Sequence, residues 1–141
     1  MGRTILSVIG GLIFGILAFI LFQITANYSF EYTPVSQYAT YKEYYDSQPI
    51  VLIVDFLATI VASFVGVFSA NKIDKGKKLG GLVIVFLSLA FVLKTITDRI
   101  SEGITPPIWF VIAEPLSIIV VGYLLYKFNV SQSAEKEISK E

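Results

Sequence analysis

The chain has 141 residues, 55% of them hydrophobic, and eleven basic residues balance eleven acidic ones for a formal charge of zero. It contains no cysteine and no histidine, which excludes disulfides, thiol chemistry, Cys/His zinc sites, His-ligated haem and any Ser-His or Cys-His nucleophile. A mean hydropathy of +0.71, carried by four long apolar runs, points to the bilayer as the solvent, and no basic, aromatic-interleaved patch suits nucleic acid.

Residues 4–24, TILSVIGGLIFGILAFILFQI, read as the first membrane helix. Arg3 resembles the charged start of a signal peptide and Ile24-Thr25-Ala26 a weak cleavage site, but the apolar run is long for a signal and reads as a retained helix. Ser7, Gly11 and Gly15 place a small residue at every fourth position, and Gln23 sits near the far end. Residues 25–49 form the one long loop, rich in tyrosine (Tyr28, Tyr32, Tyr38, Tyr41, Tyr44 and Tyr45). Thr33 followed by Pro34 has the pattern of a helix start. Val35, Tyr38, Tyr41 and Tyr45 then share one face, which predicts a short helix at the membrane interface. Tyr38, Tyr41 and Tyr45 are the alternative candidates for a partner-protein or sugar surface.

Residues 50–70, IVLIVDFLATIVASFVGVFSA, are the second span and the most informative stretch. At roughly 100° per residue, Asp55, Ala58, Thr59, Ala62, Gly66, Ser69 and Ala70 share one side, opposite Leu57, Ile60, Phe64 and Phe68. Small residues let backbones approach closely, so Gly11 and Gly15 of the first span are expected to pack on Ala58, Ala62, Gly66 and Ala70, with Asp55 facing into the bundle. The lysine-rich turn NKIDKGKK follows at 71–78. Residues 79–97 make the third span, with Lys94 near its end. After DRISEGITPP, the fourth span covers residues 107–127 and is interrupted by Glu114 and Pro115. Trp109 at one end and Tyr123 with Tyr126 at the other suit aromatic belts. Residues 128–141 read as a loose polar tail.

The expected architecture is all-α. It is a single bundle over residues 1–127, with four antiparallel membrane helices, a short interfacial helix in the first outer loop, and the tail at 128–141. Eight basic residues (Arg3, Lys72, Lys75, Lys77, Lys78, Lys127, Lys136, Lys140) lie on one side against three (Lys42, Lys94, Arg99) on the other. Both termini are therefore expected in the cytoplasm, and the tyrosine loop outside. On that topology Asp55 lies about 7 Å, Lys94 about 5 Å and Glu114 about 10 Å below the outer surface, with Gln23 at a similar level. This convergence reads either as a structural ion pair, Lys94 with Asp55 or Glu114, or as a proton or cation site built on the two carboxylates. No polar residue continues a path through the other half.

The pattern Ile104-Thr105-Pro106-Pro107-Ile108-Trp109-Phe110 comes with the glycine-rich first helix, Gln48-Pro49 and the small-residue stripe. Together they resemble a group of small bacterial four-helix integral membrane proteins, over most of residues 5–126. Such proteins often carry a histidine between the two proline positions and a Glu/His pair after the first helix. This chain has no histidine, and Gln23 is the nearest analogue. The resemblance implies the architecture and a bacterial inner (plasma) membrane, and no activity. An intramembrane aspartyl protease would need two facing aspartates, and only Asp55 lies within a span. The expected function is a non-enzymatic accessory or structural subunit, with lipid and other membrane subunits as partners and no cofactor or metal. The alternative is a small proton- or cation-coupled transporter using Asp55 and Glu114.

Overall fold

The computed structural model describes residues 2–30, 33–74 and 79–138, with the side chains of Val35, Tyr41 and residues 129–138 left out. Tyr32 and the lysines at 75, 77, 78 and 140 lie outside the described residues. Five α-helices follow one another: α1 (Gly2–Phe30), α2 (Tyr41–Ser47), α3 (Ile50–Ile73), α4 (Leu79–Ser101) and α5 (Ile108–Ile138), with a 3-10 turn at Val35–Gln37. The fold is all-α, with four long apolar helices and one short helix between the first two of them.

Several ends differ from the sequence-based expectation, each for a local reason. Helix α1 continues six residues past 24, where the Thr25 and Ser29 hydroxyls donate back to the carbonyls of Leu21 and Thr25. The short helix does not begin at Thr33-Pro34. Pro34 opens the 3-10 turn instead, its carbonyl accepting from Gln37 N–H, and Thr40 caps α2. Thr40 Oγ1 accepts from Glu43 N–H at 3.2 Å, and the Glu43 carboxylate accepts from Ala39 N–H at 3.1 Å, a reciprocal cap. The Gln48 side chain pairs with both backbone groups of Thr33, each at 3.1 Å, and fixes the loop over the bundle.

Helix α4 runs to Ser101 rather than stopping at 97. Gly103 adopts a φ of 78°, which costs glycine nothing, and lets Ile104 N–H reach Arg99 O while Gly103 N–H reaches Ile100 O. This two-bond motif closes the helix, and Ile104 buries behind it. Residues 128–138, expected as a loose tail, continue α5 as helix; Ser-Ala-Glu-Lys-Glu contains good helix formers.

Helix α3 is the centre of the bundle and packs against α1, α4 and α5. At one end the fit is backbone to backbone. A Cβ on Gly11 would stand 2.8 Å from Gly66 O, and one on Gly15 3.1 Å from Ala62 O. Helix α4 joins them there, with Ile84 against both Gly11 and Gly66, and Gly80 against the Ser7 side chain. Asp74 is buried just beyond this end; its carboxylate accepts from Gly80 N–H at 3.2 Å and from the Thr4 hydroxyl at 3.4 Å. An acceptor in the first turn of a helix meets otherwise unpaired N–H groups, so Asp74 tethers α4 to the end of α3. On the α5 side, Leu52, Val92, Ile96, Phe110 and Ile118 form one apolar core, and Val67, Ala70, Ile84 and Leu125 a second. Leu57, Phe64 and Phe68 on α3 and most large apolar residues of α1 face outward.

Candidate functional site

The parallel helices α1 and α4 touch at the Ser7–Gly80 end and stand apart at the other. Between their separated ends lies a cleft of about 560 Å³. Helix α3 forms its floor and Thr33, Pro34, Tyr44 and Tyr45 border it. The walls are apolar along Phe19, Ile24, Phe91 and Val92, and the polar groups between them include Gln23, Asn27, Asp55, Thr59, Thr95, Arg99 and Glu114.

Asp55 is the hub. Its Oδ2 accepts from Arg99 Nη2 at 2.6 Å and its Oδ1 from Gln23 Nε2 at 2.7 Å. Arg99 Nη2 also donates to Tyr45 Oη at 3.2 Å, and the guanidinium lies 4.9 Å from the Tyr45 ring centre and 5.2 Å from that of Phe110. Aromatic faces attract a cation, so two rings and a carboxylate hold Arg99 in place. Burial first, then the nearby Asp55 charge, pushes the Tyr45 phenol up to about 12 against the lowering pull of Arg99, so it remains neutral at physiological pH.

Glu114 is 4% exposed, the most enclosed acid of the cleft. Its Oε1 lies 3.0 Å from the Thr59 hydroxyl, whose single proton is shared between this oxygen and the Asp55 backbone carbonyl, 2.9 Å away and one turn earlier on α3. Its Oε2 has no hydrogen-bond partner, and neither has Arg99 Nη1; both atoms are buried. The adjacent Pro115 has no N–H to give the Val111 carbonyl, which loosens the helix ladder beside the acid. Among the described residues, no group of three or more His, Cys, Asp or Glu converges as a metal site.

The structure thus brings together Gln23, Asp55 and Glu114 and leaves Lys94 out. Lys94 pairs with Asp98 on the outer face of α4, with the lysine side chain 72% exposed. The cation expected from Lys94 is supplied by Arg99. The reason is helical register: Val92, Ile96 and Arg99, spaced by four and three, share the buried face, whereas Lys94 and Asp98, four apart, share another. Lys94→Met should therefore change stability by less than about 0.5 kcal/mol, as exposed one-turn pairs do. Melting of the purified variant in detergent checks it; a loss comparable with breaking a buried pair would contradict the assignment.

Of the tyrosines singled out as a surface, Tyr45 turns inward to Arg99. Tyr38 packs edge-on against Tyr44 at 5.5 Å between ring centres, and the side chain of Tyr41 lies outside the described residues. The small residues Gly11, Gly15, Ala58, Ala62, Gly66 and Ala70 lie at or beside the α1–α3 contact, away from the cleft; all are buried except Ala62, which is half-buried.

Four helices long and apolar enough to cross a bilayer define a multi-pass helical membrane protein. No family model matches the chain, and no curated protein or solved structure matches it. The resemblance to small bacterial four-helix proteins thus gains no family, and the class rests on helix length and composition.

Proposed function

We propose that the protein is a non-enzymatic membrane protein that works by binding, with the cleft as its receiving site, and that it serves as an accessory subunit of a larger membrane complex. One observation carries the reading: Glu114 is buried at the cleft wall with one carboxylate oxygen held by Thr59 and the other unpartnered. A buried acceptor without a donor costs about 1–3 kcal/mol, which an occupant carrying a donor recovers. The accessory role is supported by how little of the chain lies outside the helices. The close α1–α3–α4 packing around Gly11, Gly66 and Ile84 supports a receptacle entered from one end.

The second reading is a proton- or cation-coupled transporter using Asp55 and Glu114. The unpartnered Glu114 oxygen favours it, whereas Asp55, with both oxygens engaged, does not. Recovery from native membranes in mild detergent should yield a stoichiometric partner; recovery solely as a free monomer would overturn the accessory role. In tight liposomes the protein should hold proton and sodium gradients. Gradient-driven flux that disappears with Glu114→Gln would replace the binding reading with the transport one.

A further inference from the structure

The geometry points to a ligand head that carries a primary ammonium and an anionic oxygen together, the ammonium on Glu114 and the anion on Arg99. The inference rests on the cleft being a binding site and specifies what it takes. Two buried polar atoms of opposite kind lack partners on side chains that line one opening: the acceptor Glu114 Oε2 and the donor Arg99 Nη1. Glu114 is the second acid against one guanidinium, and that guanidinium is already committed to Asp55 through Nη2. Glu114 is therefore the acid left without a counter-charge of its own, and an N–H-bearing cation would both supply one and donate to Oε2. The remaining Arg99 N–H then favours an anionic or strongly accepting oxygen on the same molecule.

The walls say more about the rest of the ligand. Phe91 and Ile24 are exposed and continue the cleft's apolar side outward between α1 and α4. At about 560 Å³ the space lies within the roughly 300–1,000 Å³ common for small-ligand sites. It has room for a head and its first methylenes, while longer chains leave along Phe91 and Ile24. Glu114 lies six residues into α5, about 9 Å from its start, a depth that a headgroup reaches from the edge of the hydrocarbon. The shared chemistry is a phosphoethanolamine-type zwitterion, whether it caps a lipid or arrives free.

The test uses the full chain, delipidated in detergent, with added phosphatidylethanolamine, phosphatidylcholine or phosphatidylglycerol of identical acyl chains, and separately with free O-phosphoethanolamine. Binding is read by native mass spectrometry and by melting temperature. Phosphatidylethanolamine should bind about tenfold or more tightly than phosphatidylcholine, which has no N–H to donate, and than phosphatidylglycerol, which has no cation. Glu114→Gln should bring the three lipids close to parity, and Lys94→Met should preserve the preference. Competition by free phosphoethanolamine at the lipid's affinity would uphold the head chemistry and place its source in solution; failure to compete would place it in the bilayer. Equal binding of all three lipids by the unaltered protein, lost on filling the cleft with Thr95→Trp, would overturn the ammonium assignment while leaving a binding cleft. No binding of any probe, with Thr95→Trp indistinguishable from the unaltered protein, would overturn both.

Discussion

Arg99→Met should destabilise the bundle by about 3–5 kcal/mol, because it leaves Asp55 as a buried charge without its counter-charge. Both side chains are only 12–15% exposed, so water repairs little of the loss. The same substitution strips Tyr45 of its hydrogen-bond donor and empties the space against the Tyr45 and Phe110 rings. Adding Asp55→Leu should restore most of the stability, since buried ion pairs are often close to neutral against apolar replacements. The recovery will be incomplete, because Gln23 then loses its acceptor. Unfolding in mixed micelles measures both steps. A single mutant within about 1 kcal/mol of the unaltered protein would mean that the Asp55–Arg99 pair does not hold this end together.

Gly11→Leu should have the next largest effect, at the opposite end. Its first side-chain carbon would meet Gly66 O at 2.8 Å, Ala70 Cβ at 2.9 Å and Ile84 Cγ1 at 3.1 Å. A carbonyl oxygen and an alanine methyl have nowhere to rotate, so α1 must move off α3. Overpacking of this kind costs about 1–3 kcal/mol and sometimes more. In lipid nothing apolar draws the helices back together, because the tails are as apolar as leucine. Gly2 offers the control, with nothing within 4 Å of the corresponding position, and Gly2→Leu should melt with the unaltered protein. Equal melting of the Gly11 and Gly2 variants would refute close backbone packing as the source of the α1–α3 association.

These two positions show what could be read from the sequence. Gly11 and Gly66 are visible because each stands in a series of small residues spaced by four, a period that close packing imposes on the chain, and the apolar lengths announce four spans in the same direct way. Arg99 escaped because the third span was ended at 97, where hydropathy falls. The signal that corrects this is Gly103 followed by apolar Ile104, a helix-ending pattern that puts Arg99 in the last turn. Its register with Val92 and Ile96 then turns it inward, and the one-turn spacing of Lys94 and Asp98 shows that the lysine already has a partner. Asp74 was hidden for a different reason. Its role depends on meeting the first turn of α4, and nothing in NKIDKGKK distinguishes a buried acid from a solvated one. Glu114 was legible as an acid in an apolar run, but its two unequal oxygens depend on Thr59, 55 residues away.

The order in which the groups around Asp55 are synthesised has a consequence for biogenesis. Arg99 follows Asp55 by 44 residues, whereas Gln23 precedes it by 32. At roughly 5–20 residues per second, the ribosome takes about 2–9 s to deliver the arginine after the aspartate has been made. Of the two side chains that engage the Asp55 carboxylate in the folded bundle, the Gln23 amide is made before that interval and the Arg99 guanidinium at its end. Asp55 is thus synthesised with its hydrogen-bond donor already on the chain and its counter-charge still to come, so the ion pair closes only when α4 has been made.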